Sequence, residues 1–233
     1  MNAVITGATK GMGRAIAIKL AEAGYNLAIC SRNQSEIDSL SKDLMLKNPS
    51  INAIGLNTNC AEPAQVKAFA SFVQQHFQQV DVLINNVGVF HPASILDEDE
   101  SVLELQFQVN FHTAYTLCRT FGKQMRNNKS GYIINICSIA AINPVFEAGS
   151  YTVTKIALHG LTKVLRLELM QHNVKVTAIL PGSTLTSSWE GTTIPEESFI
   201  AAEDVANAVM YCVGSSAGSN PEEIIIKPLS GQV

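Results

Sequence analysis

The sequence predicts an α/β fold, a single doubly wound parallel sheet of about seven strands with helices on both faces. Three observations predict it. Short apolar runs that read as buried strands alternate with longer amphipathic segments from Asn2 to Lys227. The first of these runs ends in a glycine-rich turn that opens directly into a helix. Apolar residues make up 46% of the 233-residue chain and charged residues 15%, which supplies a core large enough to cover a sheet on both sides.

Taken in order, Asn2 to Thr6 is the first strand, a short apolar run halted by glycine. The turn Thr6-Gly7-Ala8-Thr9-Lys10-Gly11-Met12-Gly13 leads into Arg14 to Ala21, rich in helix formers and stopped at Gly24. Strand, glycine turn and helix together form an anion site. Glycines let the backbone approach a pyrophosphate, and the free N–H groups at the helix start receive the charge. The spacing is T-G-x-x-x-G-x-G rather than G-x-G-x-x-G, with Lys10 as an additional cation. A plain turn needing positive φ accounts for the glycines equally well.

A second strand, Asn26 to Cys30, ends in Ser31-Arg32-Asn33. In a dinucleotide site an acid at this place binds a ribose 2′-hydroxyl, and an arginine accommodates a 2′-phosphate. No acid stands at the strand end, and Glu36 belongs to the next helix; Arg32 with Lys10 therefore favours NADP(H) over NAD(H). Ser35 to Lys47 reads as a helix, Ile51 to Leu56 as the third strand, and Glu62 to Gln79 as an amphipathic helix with a core-facing row of Val66, Phe69, Phe72, Val73 and Phe77. Val80 to Ile84 is the fourth strand, capped by Asn85-Asn86-Val87-Gly88. The acidic run Asp97 to Glu100 suits a helix start and carries no assigned chemistry. Ser101 to Met125 reads as one long helix in which Asn110, a poor mid-helix residue, needs a reason to be there. Tyr132 to Cys137 is the fifth strand and Val174 to Leu180 the sixth, the latter closing in Pro181-Gly182-Ser183-Thr184-Leu185-Thr186. A helix from Ala202 to Val213 and a strand from Glu223 to Lys227 finish the chain. There is no internal repeat, linker or low-complexity segment, so residues 1–233 read as one domain.

Composition narrows function. A net charge of −4 points to neither a nucleic acid nor an anionic membrane as partner. No apolar run reaches the ~18 residues of a membrane span, and Thr6-Gly7 interrupts the first strand before a signal sequence could form, so a cytoplasmic protein is expected. Five scattered cysteines (Cys30, Cys60, Cys118, Cys137 and Cys212) read as reduced core residues rather than disulfides or metal ligands.

The stretch from Ser138 to Lys155 carries the chemistry. Tyr151 and Lys155 stand four apart, on one face of a helix, and an ammonium beside a phenol favours the phenolate. Such a phenol is suited to proton transfer. Ser138 lies just past a strand end, where active-site groups of α/β folds collect. A lysine stem packed on a tyrosine ring is the plain structural alternative.

Together these residues resemble the short-chain dehydrogenase/reductase family, over nearly the whole chain and with a Rossmann-type sheet. The glycine motif is Thr6 to Gly13, the N-N-A-G segment appears as Asn85-Asn86-Val87-Gly88, the helical asparagine is Asn110, and the serine and Y-x-x-x-K pair are Ser138, Tyr151 and Lys155. The P-G-x-x-x-T segment is Pro181 to Thr186. The resemblance implies a reductase in which Tyr151 is the general acid toward a carbonyl, Ser138 binds the carbonyl oxygen, and Lys155 supports Tyr151 and the nicotinamide ribose. It also implies that Asn110 holds a water that connects Lys155 to solvent. Cofactor contacts are implied for Thr6, Gly7, Thr9, Lys10, Gly11, Met12, Gly13, Ser31, Arg32, Asn59, Asn85, Asn86, Gly88, Tyr151, Lys155, Pro181, Gly182, Thr184 and Thr186. Asn59 stands where many relatives carry an adenine-binding aspartate, and about fifteen residues after Thr186 leave room only for a short lid. Trp189, Phe199, His91 and Phe146 are candidate pocket walls. The leading substrate expectation is a 3-oxoacyl thioester, free or carrier-tethered, with Lys123, Arg126 and Lys129 as a basic group for an acidic carrier or simply a solvated helix end. A small ketone, sugar or pterin, or a non-catalytic NADP sensor, are the alternatives. A homodimer or homotetramer through the segments Ser101–Met125 and Ser150–Met170 is expected.

Overall fold

The computed structural model describes residues 1–186, 189 and 191–231. Seven strands form one wholly parallel sheet: β1 (Asn2–Thr6), β2 (Asn26–Ser31), β3 (Ala53–Asn57), β4 (Val82–Asn85), β5 (Gly131–Ile136), β6 (Val174–Pro181) and β7 (Glu223–Ile226). Their order is β3-β2-β1-β4-β5-β6-β7, so the winding reverses between β1 and β4. In sheets of this kind that reversal opens a crevice beyond the carboxyl ends of the strands.

The apolar runs are continuous because both faces of the sheet are covered. Successive residues of β1 go to opposite sides. Ala3 and Ile5 join a core with Ile16, Leu20, Leu27, Ile29, Val205 and Val209, under α1 (Gly11–Glu22), α2 (Gln34–Lys47) and α7 (Ala202–Val213). Val4 joins the other core with Val66, Phe69, Leu83, Leu117, Phe121 and Ile133, beneath α3 (Pro63–His76) and α5 (Thr113–Asn128). Each wholly buried Leu, Ile or Phe contributes about 1.5–3 kcal/mol of transfer free energy. Phe69 and Phe121 are among the largest such side chains.

The expected boundaries shift where turns intervene. β3 begins at Ala53 because Asn48 and Ile51 close a turn, with Ile51 N–H donating to Asn48 O at 3.3 Å. β4 begins at Val82 because the Val80 N–H donates instead to Gln124 Oε1 at 3.0 Å. The expected single helix from Ser101 to Met125 is corrected to three pieces: α4 (Glu100–Phe107), a π-helical turn at Gln108–His112, and α5. Asn110 lies in the π turn, 1% exposed, and its side-chain bonds to the chain after β4 explain why the helix winds wide there.

α6 (Gly149–Leu169) runs along β5 and β6 and holds the edge strand β7. Arg166, 8% exposed, donates through Nε to Val176 O and through Nη2 to Glu222 O, at 2.9 and 2.6 Å. One turn earlier Lys163 pairs with Glu223 at 3.4 Å, and His159 hydrogen-bonds the same carboxylate at 2.8 Å.

Candidate active site

The glycine turn is shaped by its neighbours as much as by its own residues. Gly7 adopts φ +65°, and a Cβ at Gly13 would stand 2.2 Å from Gly7 O and 2.6 Å from Asn86 Nδ2, so α1 can approach the turn only with glycine there. Asn86 clasps the turn from β4's end: its Nδ2 donates to Thr6 O and Gly7 O, both at 3.0 Å. Thr6 Oγ1 in return accepts the N–H groups of Asn86 and Val87, both at 3.0 Å. The start of α1 has no side-chain cap and no acid in its first turn, which leaves its amides directed at the crevice.

This crevice is a cleft of about 650 Å³ lined by Gly7, Thr9, Lys10, Gly11, Met12, Gly13, Ser31, Arg32, Asn59, Asn86 and Gly88, together with Glu36. At the β2 end Thr9 Oγ1 meets Ser31 Oγ at 2.9 Å and donates to Glu36 Oε2 at 3.1 Å. Lys10 Nζ pairs with Glu36 Oε1 at 3.1 Å. Lys10 and Thr9 hydrogen bonds, aided by the Arg32 charge, hold the Glu36 carboxyl below its ordinary range.

A second cavity of about 270 Å³ adjoins the cleft, and Ser138 and Tyr151 both line it. Ser138 caps a short 3₁₀ turn after β5, its Oγ accepting the Ala140 N–H at 3.1 Å. Tyr151 sits in the first turn of α6 with Lys155 one turn on, as the spacing required. Lys155 is 4% exposed, and its ammonium donates to Ile136 O at 3.1 Å and lies 5.7 Å from the Tyr151 ring centroid. Gly88 keeps this corner open: a Cβ there would be 3.4 Å from Asn110 Oδ1 and 3.5 Å from Lys155 Nζ. Asn110 Oδ1 accepts the Val89 N–H at 2.8 Å, and its Nδ2 donates to Val89 O at 3.0 Å and Thr154 Oγ1 at 3.1 Å. Phe90 packs edge-on to Tyr151, centroids 4.9 Å apart. Burial pushes the Cys137 thiol up to about 11, against the Lys155 charge, so the cysteine in this wall is neutral at physiological pH.

A family model described as short chain dehydrogenase matches residues 1–196. The chain belongs to the short-chain dehydrogenase family. An uncharacterised oxidoreductase of Staphylococcus epidermidis is 28% identical over 227 residues, covering 97% of this chain and 96% of the relative. An alcohol dehydrogenase of the archaeon Thermococcus sibiricus, solved with 5-hydroxy-NADP, shares the fold with a TM-score of 0.91 at 23% identity, covering 100% of this chain and 98% of that one. L-sorbose reductase from Gluconobacter frateurii, solved with NADPH and L-sorbose, has a TM-score of 0.88 and 26% identity, covering 97% and 94%.

A dinucleotide suits this short-chain dehydrogenase on its own geometry: uncapped α1 amides face the cleft, and a Cβ at Gly11 would come within 2.9 Å of Thr186 Cγ2 across it. Pro181, Gly182, Thr184 and Thr186 line the Ser138–Tyr151 cavity, and Thr186 borders both spaces. Asn59 lines the cleft while its Oδ1 accepts the Ala61 N–H at 3.1 Å. Thr6 and Asn85 are placed underneath. Thr6 is wholly buried, and Asn85 is 3% exposed, donating to Asn135 Oδ1 at 2.8 Å in a network between β4, β5 and α6.

Of the four candidate wall residues, Trp189 lines the cavity and Phe199 packs behind it, centroids 4.9 Å apart. His91 faces the dinucleotide cleft instead, and Phe146 is 87% exposed. The segment after Thr186 returns to the site, Thr184 and Ile200 forming a β-bridge; Ser187, Ser188 and Glu190 within it lie outside the described residues. Lys129 caps α5 in the left-handed region, φ 51°.

Sequence reasoning missed three contributors. Glu36 was set aside because it belongs to α2, yet first-turn residues of a helix that follows a strand end lie beside that strand end. Phe90 stood next to the asparagine–glycine turn without a pattern to mark it. Gln106 was hidden in α4: it is wholly buried and donates to Ser150 Oγ at 2.5 Å, while Ser150 donates to Glu98, tying α4 to the start of α6.

Among the described residues no helix is long and apolar enough to cross a membrane, and no group of three His, Cys, Asp or Glu side chains is arranged to hold a metal.

Proposed function

We propose that the protein reduces a ketone to a secondary alcohol with NADP(H), using Tyr151 as general acid. The observation that carries this reading is the meeting of Ser138 and Tyr151 on one cavity wall, with a buried ammonium 5.7 Å from the phenol ring. A bound reduced nicotinamide supplies the hydride. Tyr151 gives its phenolic proton to the carbonyl oxygen, and Ser138 donates a hydrogen bond to that oxygen as negative charge gathers on it. Lys155 holds positive charge beside the phenol while the phenolate waits for its proton. The Ile136 carbonyl fixes the ammonium in place without neutralising it. Asn110 shapes the corner through which that proton returns.

Lys10 and Arg32 at the β2 end support NADP(H) over NAD(H), since both are cations where a ribose 2′-phosphate would lie. The described lining of the Tyr151 cavity, which includes Phe90, Ile139, Val145, Ala148 and Trp189, carries no charged side chain. That favours a neutral carbonyl with apolar flanks, such as the acyl part of a 3-oxoacyl thioester, over a carboxylate- or phosphate-bearing substrate. A homodimer or homotetramer built on α5 and α6 completes the proposal, supported by apolar side chains exposed on α6: Val164 at 52% and Leu167 at 71%.

Tyr151→Phe tests the mechanism. It removes one hydroxyl from a partly buried ring and should lower NADPH-dependent ketone reduction by about 10²-fold or more, with NADPH affinity retained. Reduction at the wild-type rate, followed by loss of NADPH absorbance over a ketone panel, would refute the acid role. Binding of NADPH by the wild type without turnover of any ketone would favour a sensor.

A further inference from the structure

Glu36 is an anion set among the cations that line the far end of the dinucleotide cleft. Its Oε1 lies 3.1 Å from Lys10 Nζ and its Oε2 accepts from Thr9 Oγ1 at 3.1 Å, while Thr9 also meets Ser31 Oγ at 2.9 Å. Arg32 lines the same end, and its charge acts on Glu36. The groups that would receive a 2′-phosphate are thus already engaged by a carboxylate belonging to the chain. The tether is short: Asn33 caps α2, with Ser35 N–H donating to its Oδ1 at 3.0 Å, and this fixes Glu36 in the first helical turn, facing the glycine loop.

We propose that Glu36 is a specificity-determining residue that competes with the ribose 2′-phosphate for Lys10 and Thr9, and so holds down the protein's discrimination between NADP(H) and NAD(H). The proposal rests on the reading of the cleft as a dinucleotide site. NADPH and NADH differ only by that phosphate. A phosphate entering beside Glu36 meets a like charge and must take Lys10 from it, whereas a 2′-hydroxyl meets an acceptor already in place. The pair is open to solvent, so the effect is a modest bias, screened by salt.

The experiment is a measurement of dissociation constants, by fluorescence of the reduced nicotinamide, for NADPH and NADH on the wild type, Glu36→Gln, Lys10→Gln and Lys10→Gln/Glu36→Gln. Glutamine keeps the length and can still accept from Thr9, which separates charge from shape. Glu36→Gln should bind NADPH about 3- to 10-fold tighter at low salt, with NADH changed by less than about 2-fold and the gain shrinking in high salt. Measured from Lys10→Gln alone, the double variant should gain less than this, because the cation being competed for is gone and only the like charge is relieved. Unchanged or weaker NADPH binding in Glu36→Gln, or an equal gain for both cofactors, overturns the proposal. Wild-type protein that binds neither dinucleotide would instead overturn the reading of the cleft, and the proposal with it. Glu36→Ala repeats the comparison without the Thr9 bond: a preserved NADPH gain supports charge competition, and its loss counts against it.

Discussion

At Gly13 a single hydrogen atom in place of a methyl group sets how near α1 can come to the strand ends. The two closest atoms to an added Cβ are the Gly7 carbonyl oxygen and Asn86 Nδ2, and Asn86 is held by Thr6 and Gly7 together, so neither can retreat alone. Gly13→Ala should therefore cost about 1–3 kcal/mol of stability and abolish most dinucleotide binding. A urea midpoint and a binding titration on the same sample check this, and an alanine variant with wild-type values in both would show that the turn is not rigid. The glycines, Ser138, Tyr151 and Lys155 were legible because each sits where local spacing dictates its place, at a strand end or on one helical face. Asn85 was not, since two adjacent asparagines leaving a strand point to opposite sides and nothing in the sequence says which faces the ligand. In the structure Asn86 takes the turn and Asn85 the interior.

Among the elements, β7 leans on side-chain ties, being an edge strand of four residues with only β6 beside it. Burial pushes the Glu223 carboxyl up, but the His159 and Lys163 side chains outweigh it and hold it below the usual carboxylate range. A carboxyl depressed in the folded state adds stability above its unfolded value, near 4.3, and loses it as the pH falls through the folded value. Glu223→Gln should accordingly lower the urea midpoint at pH 7, and the gap from wild type should close as the pH drops below about 4. A gap that is constant with pH would rule out the ionic contribution. The π turn at Gln108–His112 shows the limit of periodic reading at this scale. Helical spacing runs unbroken through Ser101–Met125, and the widening depends on the distant Val89 backbone, which no local pattern reveals.

For the molecule as a whole, the doubly wound parallel sheet was legible in the alternation of strand and helix, because buried parallel strands need crossovers, whereas the order β3-β2-β1-β4-β5-β6-β7 came only with the structure. Association was less readable. The α6 face that carries Val164 and Leu167, continued by Met170 just past the helix end, is apolar and exposed in the single chain, at 52%, 71% and 63%. If that face meets its own copy, Leu167→Glu places like charges across the two-fold axis and should shift the protein to monomer. Sedimentation equilibrium of wild type and variant is the measurement, and equal masses for the two would exclude this face.

The clasp between Thr6 and Asn86 has a practical corollary for anyone borrowing this loop. Cutting out residues 6–13 and splicing them into another scaffold would carry the sequence but leave behind the amide that bends it. A faithful transplant has to bring the carboxyl ends of two neighbouring strands, β1 and β4.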